Sequence, residues 1–456
     1  MFLCCLFGLL AGANARARET EGKKVLLRSI TFAGNKVTKP QIIDREMSIH
    51  PGDSIPADEV EMLLEFNRRR ILNLQLFSRV EYCIHQWDEE GLDIEYTVNE
   101  ILYWLPKPIF SLADRNFNVW LVEENARLDR TNIGMELTRI NFRGRNERIN
   151  AIVQLGYNKV FNLSYRVPYI ERSMRHGLQA GITYATGREI NYLTDSNKIR
   201  FYTSDRYPYQ RFQARFGATY RKRYAAVHEL TLSYNHFAIT PSLYAANREF
   251  LGERLRLNYL ELAYLYHFNN TDIRVYPING LDLRLTASKK GLGIDRQVNQ
   301  FIVHNETSYF KKFTRHLSGA LVFRGRIAFP DVQPYLLNRA MGFRNEYLRG
   351  YEYYVIDGSH YALLRGNLRV RIIDRVIHQN IISLMKYIPL RVYAKAFDDI
   401  GYVYNRFPGN SFLNNRLLNG YGVGLDIIIS YYARFRIEYS FNHLGERGLF
   451  LHGSSE

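Results

Sequence analysis

The sequence predicts an all-β transmembrane barrel of about sixteen antiparallel strands, preceded by one small α/β domain. Three observations point there: a long C-terminal region of short alternating strands, Arg opposite aromatic residues across those strands, and an N-terminal module with helical apolar stripes between strand-like runs. The chain has 456 residues with 34 Tyr and 27 Phe but only 3 Trp, and its mean hydropathy is -0.29. Barrel strands account for such values, because their apolar residues alternate with polar ones. Past the first fifteen residues no apolar stretch approaches the roughly 18 residues that a transmembrane helix requires, which excludes helical insertion.

The formal charge of +16 raises nucleic acid as a partner. The Arg residues, however, are spread through strand-like segments and form no basic arm or helix, so no nucleic-acid partner is expected. Arg lining a water-filled lumen, or facing anionic headgroups at the barrel rim, explains the same excess. Residues 1–15 read as a signal peptide: an apolar run from Met1 to Leu10 precedes the small-x-small sequence Ala13-Asn14-Ala15. Cleavage there leaves Cys83 as the one remaining thiol, which excludes an internal disulfide and suggests a small core residue.

Residues 24–100 form the first domain. Val25 to Phe32 is strand-like and ends in a turn at Gly34-Asn35, after which Thr38 and Pro40 offer a cap and first-turn residue for a helix. A second helix is signalled from Ile55 to Asn73, opened by Asp58, with Val60, Leu63, Leu64, Ile71 and Leu72 as its apolar stripe. Strands follow at Phe77 to His85 and Leu92 to Val98, joined by Asp88-Glu89-Glu90-Gly91. Ile30-x-Phe32-x-Gly34-Asn35, Arg45-Glu46, Gly52, Leu76-Phe77 and Val98-x-Glu100 together resemble a single POTRA domain.

Residues 101–456 carry the barrel pattern. Ala151, Val153, Leu155 and Tyr157 share one face, as do Phe161, Leu163, Tyr165, Val167 and Tyr169, with Asn162, Ser164 and Arg166 opposite. Phe212, Ala214, Phe216, Ala218 and Tyr220 alternate with Arg211, Gln213 and Arg215; Leu321, Phe323 and Ile327 alternate with Arg324 and Arg326. A buried sandwich core would not accept so many Arg. At roughly 22 residues per strand and connection the region holds about sixteen strands, with fourteen also compatible. Open strand edges cannot sit in hydrocarbon, so the sheet is expected to close.

A connection of about thirty residues, at about 331–360, is too long for a hairpin turn and marks a functional loop. It contains Leu348-Arg349-Gly350-Tyr351, with Pro334-Tyr335, Gly342 and Asp357-Gly358 around it and a strand through Ala362, Leu364, Leu368, Val370 and Ile372 after it. Phe397-Asp398-Asp399-Ile400-Gly401 follows. This array resembles the BamA/TamA superfamily, whose sixth outer loop folds an Arg-Gly-aromatic tip into the barrel. Gly420 to Asp426 and Arg434 to Tyr439 resemble that superfamily's penultimate strands, and Gly448 to His452 its last.

The resemblance implies that Asp399 receives Arg349, with Gly350 and Tyr351 at the loop tip and Phe397, Gly401, Gly342, Asp357 and Gly358 in support. Counting by twos puts Asp399 on the same face as Tyr393, Lys395 and Phe397, while Asp398 falls on the lipid face, where a bulge or the membrane rim must accommodate it. An Arg fork holding a carboxylate by two hydrogen bonds would pin the loop at one depth.

The resemblance further implies a bacterial outer-membrane location with the N-terminal domain in the periplasm. The expected partners are unfolded outer-membrane or secreted client polypeptides, lipid and lipopolysaccharide, with periplasmic chaperones or accessory lipoproteins also compatible. Neither a metal-binding nor a cofactor-binding motif occurs, no hydrolase or phosphate-loop signature is present, and the twelve His are scattered, so no enzyme, cofactor or metal is expected. The leading expectation is a factor that inserts client proteins at a lateral seam. A polypeptide-secretion pore of the same superfamily and an anion-selective porin-like channel are the alternatives.

Overall fold

The computed structural model describes residues 24–112, 131–222, 224–293, 298–343, 346–378, 387–429 and 433–455, so the expected signal peptide lies outside the described residues. The chain divides into two compact units, the second beginning at Tyr103.

The first unit contains β1 (Lys24–Ala33), α1 (Pro40–Asp44), β2 (Ser54–Pro56), α2 (Val60–Leu72), β3 (Phe77–Trp87) and β4 (Leu92–Glu100). Its sheet runs β2-β1-β4-β3, with β1 parallel to β4 and the other pairs antiparallel. The apolar stripe of α2 buries Val60, Leu64 and Ile71 together with Phe77, Val80, Ile94, Tyr96 and Val98 of the sheet. Burying such a set supplies about 1.5–3 kcal/mol per large side chain before conformational entropy is counted.

Three local expectations are corrected in this unit. Asp58 does not open α2; its N-cap is Glu59. Thr38 is not a cap either, because Lys39 holds that position and the Thr38 hydroxyl donates to Glu100 Oε1 at 2.6 Å, tying the turn after β1 to the end of β4. Cys83 is exposed, not a core residue, because it projects from the face of edge strand β3 that α2 does not cover.

The second unit is a sixteen-stranded antiparallel sheet with strand order following chain order. Its first seven strands, with an inserted hairpin among them, are β5 (Trp104–Leu112), β6 (Thr131–Phe142), β7 (Glu147–Gly156), β8 (Asn158–Val167), β9 (His176–Gly187), the hairpin β10 (Glu189–Asp195) and β11 (Lys198–Thr203), then β12 (Tyr209–Tyr220) and β13 (Ala226–Ile239). After the short helix α3 (Pro241–Ala246) come β14 (Arg256–Asn269), β15 (Gly280–Lys290), β16 (Gln300–Lys312), β17 (Leu317–Phe329), the small ladder β18 (Arg339–Met341) with β19 (Ile356–Asp357), β20 (His360–His378), β21 (Tyr387–Tyr404), β22 (Leu417–Ile429), β23 (Ala433–Asn442) and β24 (Arg447–Ser455). Sixteen strands is therefore the count among the described residues.

The alternation works as expected. Val153, Leu155, Phe161, Leu163, Phe216, Leu321, Phe323 and Ile327 all stand exposed on the outer face, a surface that only hydrocarbon can cover without penalty. Tyr157 and Tyr169 depart from the pattern: both lie just beyond their strands and are buried.

At the end of the barrel that β5 runs toward, several connections are long and fold over the lumen. Ile190 of β10, Phe237 and Ile239 of β13, Leu243, Phe250, Leu257 and Leu337 form an apolar cap. Beneath it lies a cavity of about 460 Å³ whose walls include Arg211, Lys290, His304, Arg326 and Arg339.

Among the described residues no ladder joins β5 to β24, the two ends of the sheet. Their backbone polarity differs. The Ile140 N–H donates to the Tyr103 carbonyl, and the register runs unshifted from Trp104↔Arg139 to Leu112↔Thr131. Odd-numbered residues of β5 therefore turn their backbone groups to β6 and even-numbered ones to the open edge. Pro106 and Pro108 fall on that edge, where they remove two donors. In β24, where the Asn442 N–H donates to the Glu446 carbonyl beside Phe441↔Arg447, the odd residues Arg447, Leu449, Leu451 and Gly453 face the open edge, and each keeps its N–H.

Candidate functional site: the loop lock in the barrel wall

The connection between β17 and β20 is the sixth at its end of the barrel. It descends as a narrow hairpin held at its neck by the β18–β19 ladder, Arg339↔Asp357 and Met341↔Ile356. Gly342 turns the chain at φ +87°, where a Cβ would stand 2.2 Å from the Tyr354 carbonyl oxygen. Leu348 and Tyr351 then bury among Met341, Ile356, Leu363, Val403, Leu413 and Leu418, an apolar seat that fixes the tip before any charge is considered.

Arg349 sits between those two anchors and is 4% exposed, against 0% for Asp399. Its Nε donates to Asp399 Oδ2 at 2.8 Å, a second guanidinium nitrogen donates to Asp399 Oδ1, and the Arg349 backbone N–H reaches Oδ2 at 3.3 Å. The third nitrogen donates to Asn367 Oδ1 at 2.7 Å and lies 3.4 Å from Glu438 Oε1. The guanidinium carbon stands 3.9 Å above the centre of the Phe397 ring. The fork is thus satisfied on its edge by a carboxylate and on its face by an aromatic ring. Gly350, at φ +87°, donates nothing but backbone freedom, and Asn442 Nδ2 donates to its carbonyl at 2.7 Å. The Tyr351 hydroxyl donates to the Asn419 carbonyl at 3.2 Å and pairs with His443 Nδ1.

The structure brings Arg349, Gly350, Tyr351, Phe397 and Asp399 to one place, with Gly401 beneath Leu348. Gly342, Asp357 and Gly358 stand apart at the loop neck. There the Asp357 carbonyl accepts from Asn414 at 2.8 Å, and the Gly358 N–H donates to the Asn338 carbonyl at 2.9 Å. Burial pushes the Asp357 carboxyl up to about 6, against the opposing pull of Thr194 and Arg339. Asp398 points outward as counted and is exposed, and Asn419 Nδ2 donates to it at 2.6 Å.

Several participants were not read from sequence. Arg365 lies 3.6 Å from Asp399 and donates to the Tyr347 carbonyl, fixing the approach to the tip. Lys395, two residues before Phe397 on the same face, bridges Asp426 at 2.5 Å and Glu438 at 2.7 Å. Tyr276, from the connection between β14 and β15, reaches the same row from the other end of the barrel and donates to Asp426 Oδ2 at 2.7 Å. Asn197 in the β10–β11 turn is 1% exposed, and its side chain donates to the Val355 carbonyl and Ser411 and accepts from the backbone N–H groups of Phe412 and Leu413. Strand parity already puts Lys395 inward beside Asp399 and could have found Glu438, which counts inward too; what it could not give is that the two pair. Nothing local marks Asn197 or Tyr276.

Residues 141–447 match the Omp85 superfamily domain, and residues 25–101 match a POTRA family described as surface antigen variable number repeat. Among solved structures, BamA from Haemophilus ducreyi lacking POTRA domains 1-3 superposes with a TM-score of 0.53 at 15% identity, covering 95% of this chain and 85% of that one. CdiB from Escherichia coli gives a TM-score of 0.53 at 12% identity, covering 94% and 75% respectively. No curated protein matches the sequence. The superfamily domain spans well over half of the residues, its barrel carries sixteen strands, and a POTRA domain precedes it: the chain belongs to the Omp85 superfamily.

Proposed function

We propose that this protein is an outer-membrane assembly factor that takes up unfolded client polypeptides through its periplasmic POTRA domain and adds their strands at the seam between β5 and β24. It works by backbone pairing and not by catalysis. The observation that carries this reading is the asymmetry of the seam, one edge of which lacks two donors at Pro106 and Pro108 while the other keeps its N–H groups. An edge that pairs poorly with its own partner opens at small expense, and the intact edge of β24 is then a template for an incoming strand.

Two further features support it. β3 is an eleven-residue edge strand with exposed Ile84 and Trp87, suited to capture by strand addition in the POTRA domain. The lumen is occupied by the Arg349 loop and roofed by the apolar cap, which disfavours a passive anion channel and a permanent polypeptide pore alike. Lipid and lipopolysaccharide bear on the exposed outer face, and chaperones or lipoproteins deliver clients.

Depletion of the protein tests the reading. Loss of many folded outer-membrane barrels, measured by heat-dependent gel mobility of the envelope fraction, is the expected result. Unchanged barrels with a single missing secreted polypeptide would establish the secretion-pore alternative instead.

A further inference from the structure

We propose that Glu352, Glu438 and His452 bind a divalent transition-metal cation of the zinc class, tying the descending loop to the last strand of the barrel. The three residues come from three elements: the loop just past its tip, β23, and seam strand β24. Their ligand atoms all lie within 4.8 Å of one another. His452 Nε2 stands 3.3 Å from Glu438 Oε2 and 3.7 Å from Glu352 Oε1. Two ligands bound to zinc at about 2.0–2.1 Å across a tetrahedral angle are about 3.3–3.4 Å apart, so the first separation already fits and the second needs a few tenths of an ångström.

Hydrogen bonding points to a cation as well. Glu438 is 1% exposed, yet its Oε2 has no hydrogen-bond partner, and neither oxygen of Glu352 has one. His452 Nε2 is also buried without a partner. Nε2 carries at most one hydrogen, so even a protonated His452 could serve only one of the two carboxylates it faces. A cation accepting one lone pair from each satisfies all three groups at once, and buried carboxylate oxygens otherwise carry a full desolvation penalty.

The surroundings orient the set. Lys395 and Arg349 hold Glu438 by its other oxygen, at 2.7 and 3.4 Å, which leaves Oε2 directed at His452. Tyr347 stacks on the His452 ring with centroids 5.0 Å apart. Three protein ligands with such supporting contacts leave a fourth position for water.

The test uses the full chain, purified in detergent without added histidines and stripped with a chelator, then titrated with Co²⁺ and back-titrated with Zn²⁺. One equivalent of Co²⁺ with the intense visible absorption of a tetrahedral site, displaced by Zn²⁺, is expected. His452→Ala and Glu352→Gln should each weaken binding by at least about a hundredfold. Heat-dependent gel mobility confirms that both variants are folded, and Glu352→Gln keeps the side chain's shape. Wild-type protein that takes up no Co²⁺, or folded variants that bind it equally well, would overturn the proposal. Neither result depends on what the seam inserts.

Discussion

Gly420 of β22 faces the backbone of Arg349 so closely that a Cβ there would stand 1.9 Å from the Arg349 carbonyl oxygen. The loop tip therefore rests on bare backbone of the wall, and depth is set by contact as well as by charge. Gly420→Ala should lift the tip and loosen the Arg349–Asp399 pair without altering either charge. Limited proteolysis of folded protein checks this: cleavage between residues 331 and 360 should become several times faster. Unchanged protection would mean that the wall yields instead.

Arg349→Glu should release the loop, because it leaves Asp399 and Glu438 buried opposite a like charge, a defect of about 3–5 kcal/mol when one partner of a shielded pair is lost. Arg349→Glu with Asp399→Arg should restore function only in part. Arg349 also donates to Asn367 and stacks on Phe397, and a reversed pair provides neither contact. Arg349→Lys should likewise fall short, since an ammonium cannot make the two-pronged contact. Envelope barrel content at matched expression measures all three, and full rescue by the double exchange would show that charge alone suffices.

The loop neck should weaken with rising pH. A carboxyl whose folded value lies near 6 binds its proton more tightly in the folded state, so its favourable contribution is complete below about 4 and is lost as pH rises to about 6. The span corresponds to at most about 3 kcal/mol. Asp357→Asn should flatten this dependence and slow loop proteolysis above pH 6. An unchanged profile in the variant would assign the effect to another group.

Pro106→Val with Pro108→Val should return two donors to the open edge of β5 and strengthen its pairing with β24. Each added backbone hydrogen bond contributes about 0.5–1.5 kcal/mol. The expected outcome is a higher temperature for loss of the folded gel form together with slower client insertion. A more stable barrel with normal insertion would separate seam opening from function.

How much of this was legible beforehand follows from the range of each interaction. The barrel was readable because alternation is local: Leu321, Phe323 and Ile327 declare their face within one strand. Asp399 could be placed inward by counting from Tyr393. The start of α2 was missed because Asp58 is the better cap by residue type, yet the helix begins after Glu59, whose side chain makes no capping hydrogen bond. Cys83 was misread because a small apolar residue in a strand carries no mark of which face is covered. Asn197 was invisible, since its four side-chain hydrogen bonds join segments more than 150 residues apart.

Asn197→Ala should accordingly unfasten three connections at once. Four lost hydrogen bonds, several leaving buried backbone groups unpaired, amount to about 3–5 kcal/mol. Amide exchange in residues 350–358 and 405–416 should accelerate together, and acceleration in only one segment would show that the two are held independently.

The apolar cap has a consequence for the order in which the molecule is made. Phe237, Ile239, Leu243, Phe250 and Leu257 meet within the β13–β14 hairpin and its connection, but Ile190 and Leu337 reach them only once β9 through β20 stand side by side. Contacts of such long sequence separation form only after the chain between them is ordered. The roof is therefore completed only when Ile190 and Leu337 join the hairpin, and until then the lumen is open to water from above. A barrel caught midway in its own biogenesis would leak ions, and the sealing of that leak would time the arrival of the connection that carries Leu337.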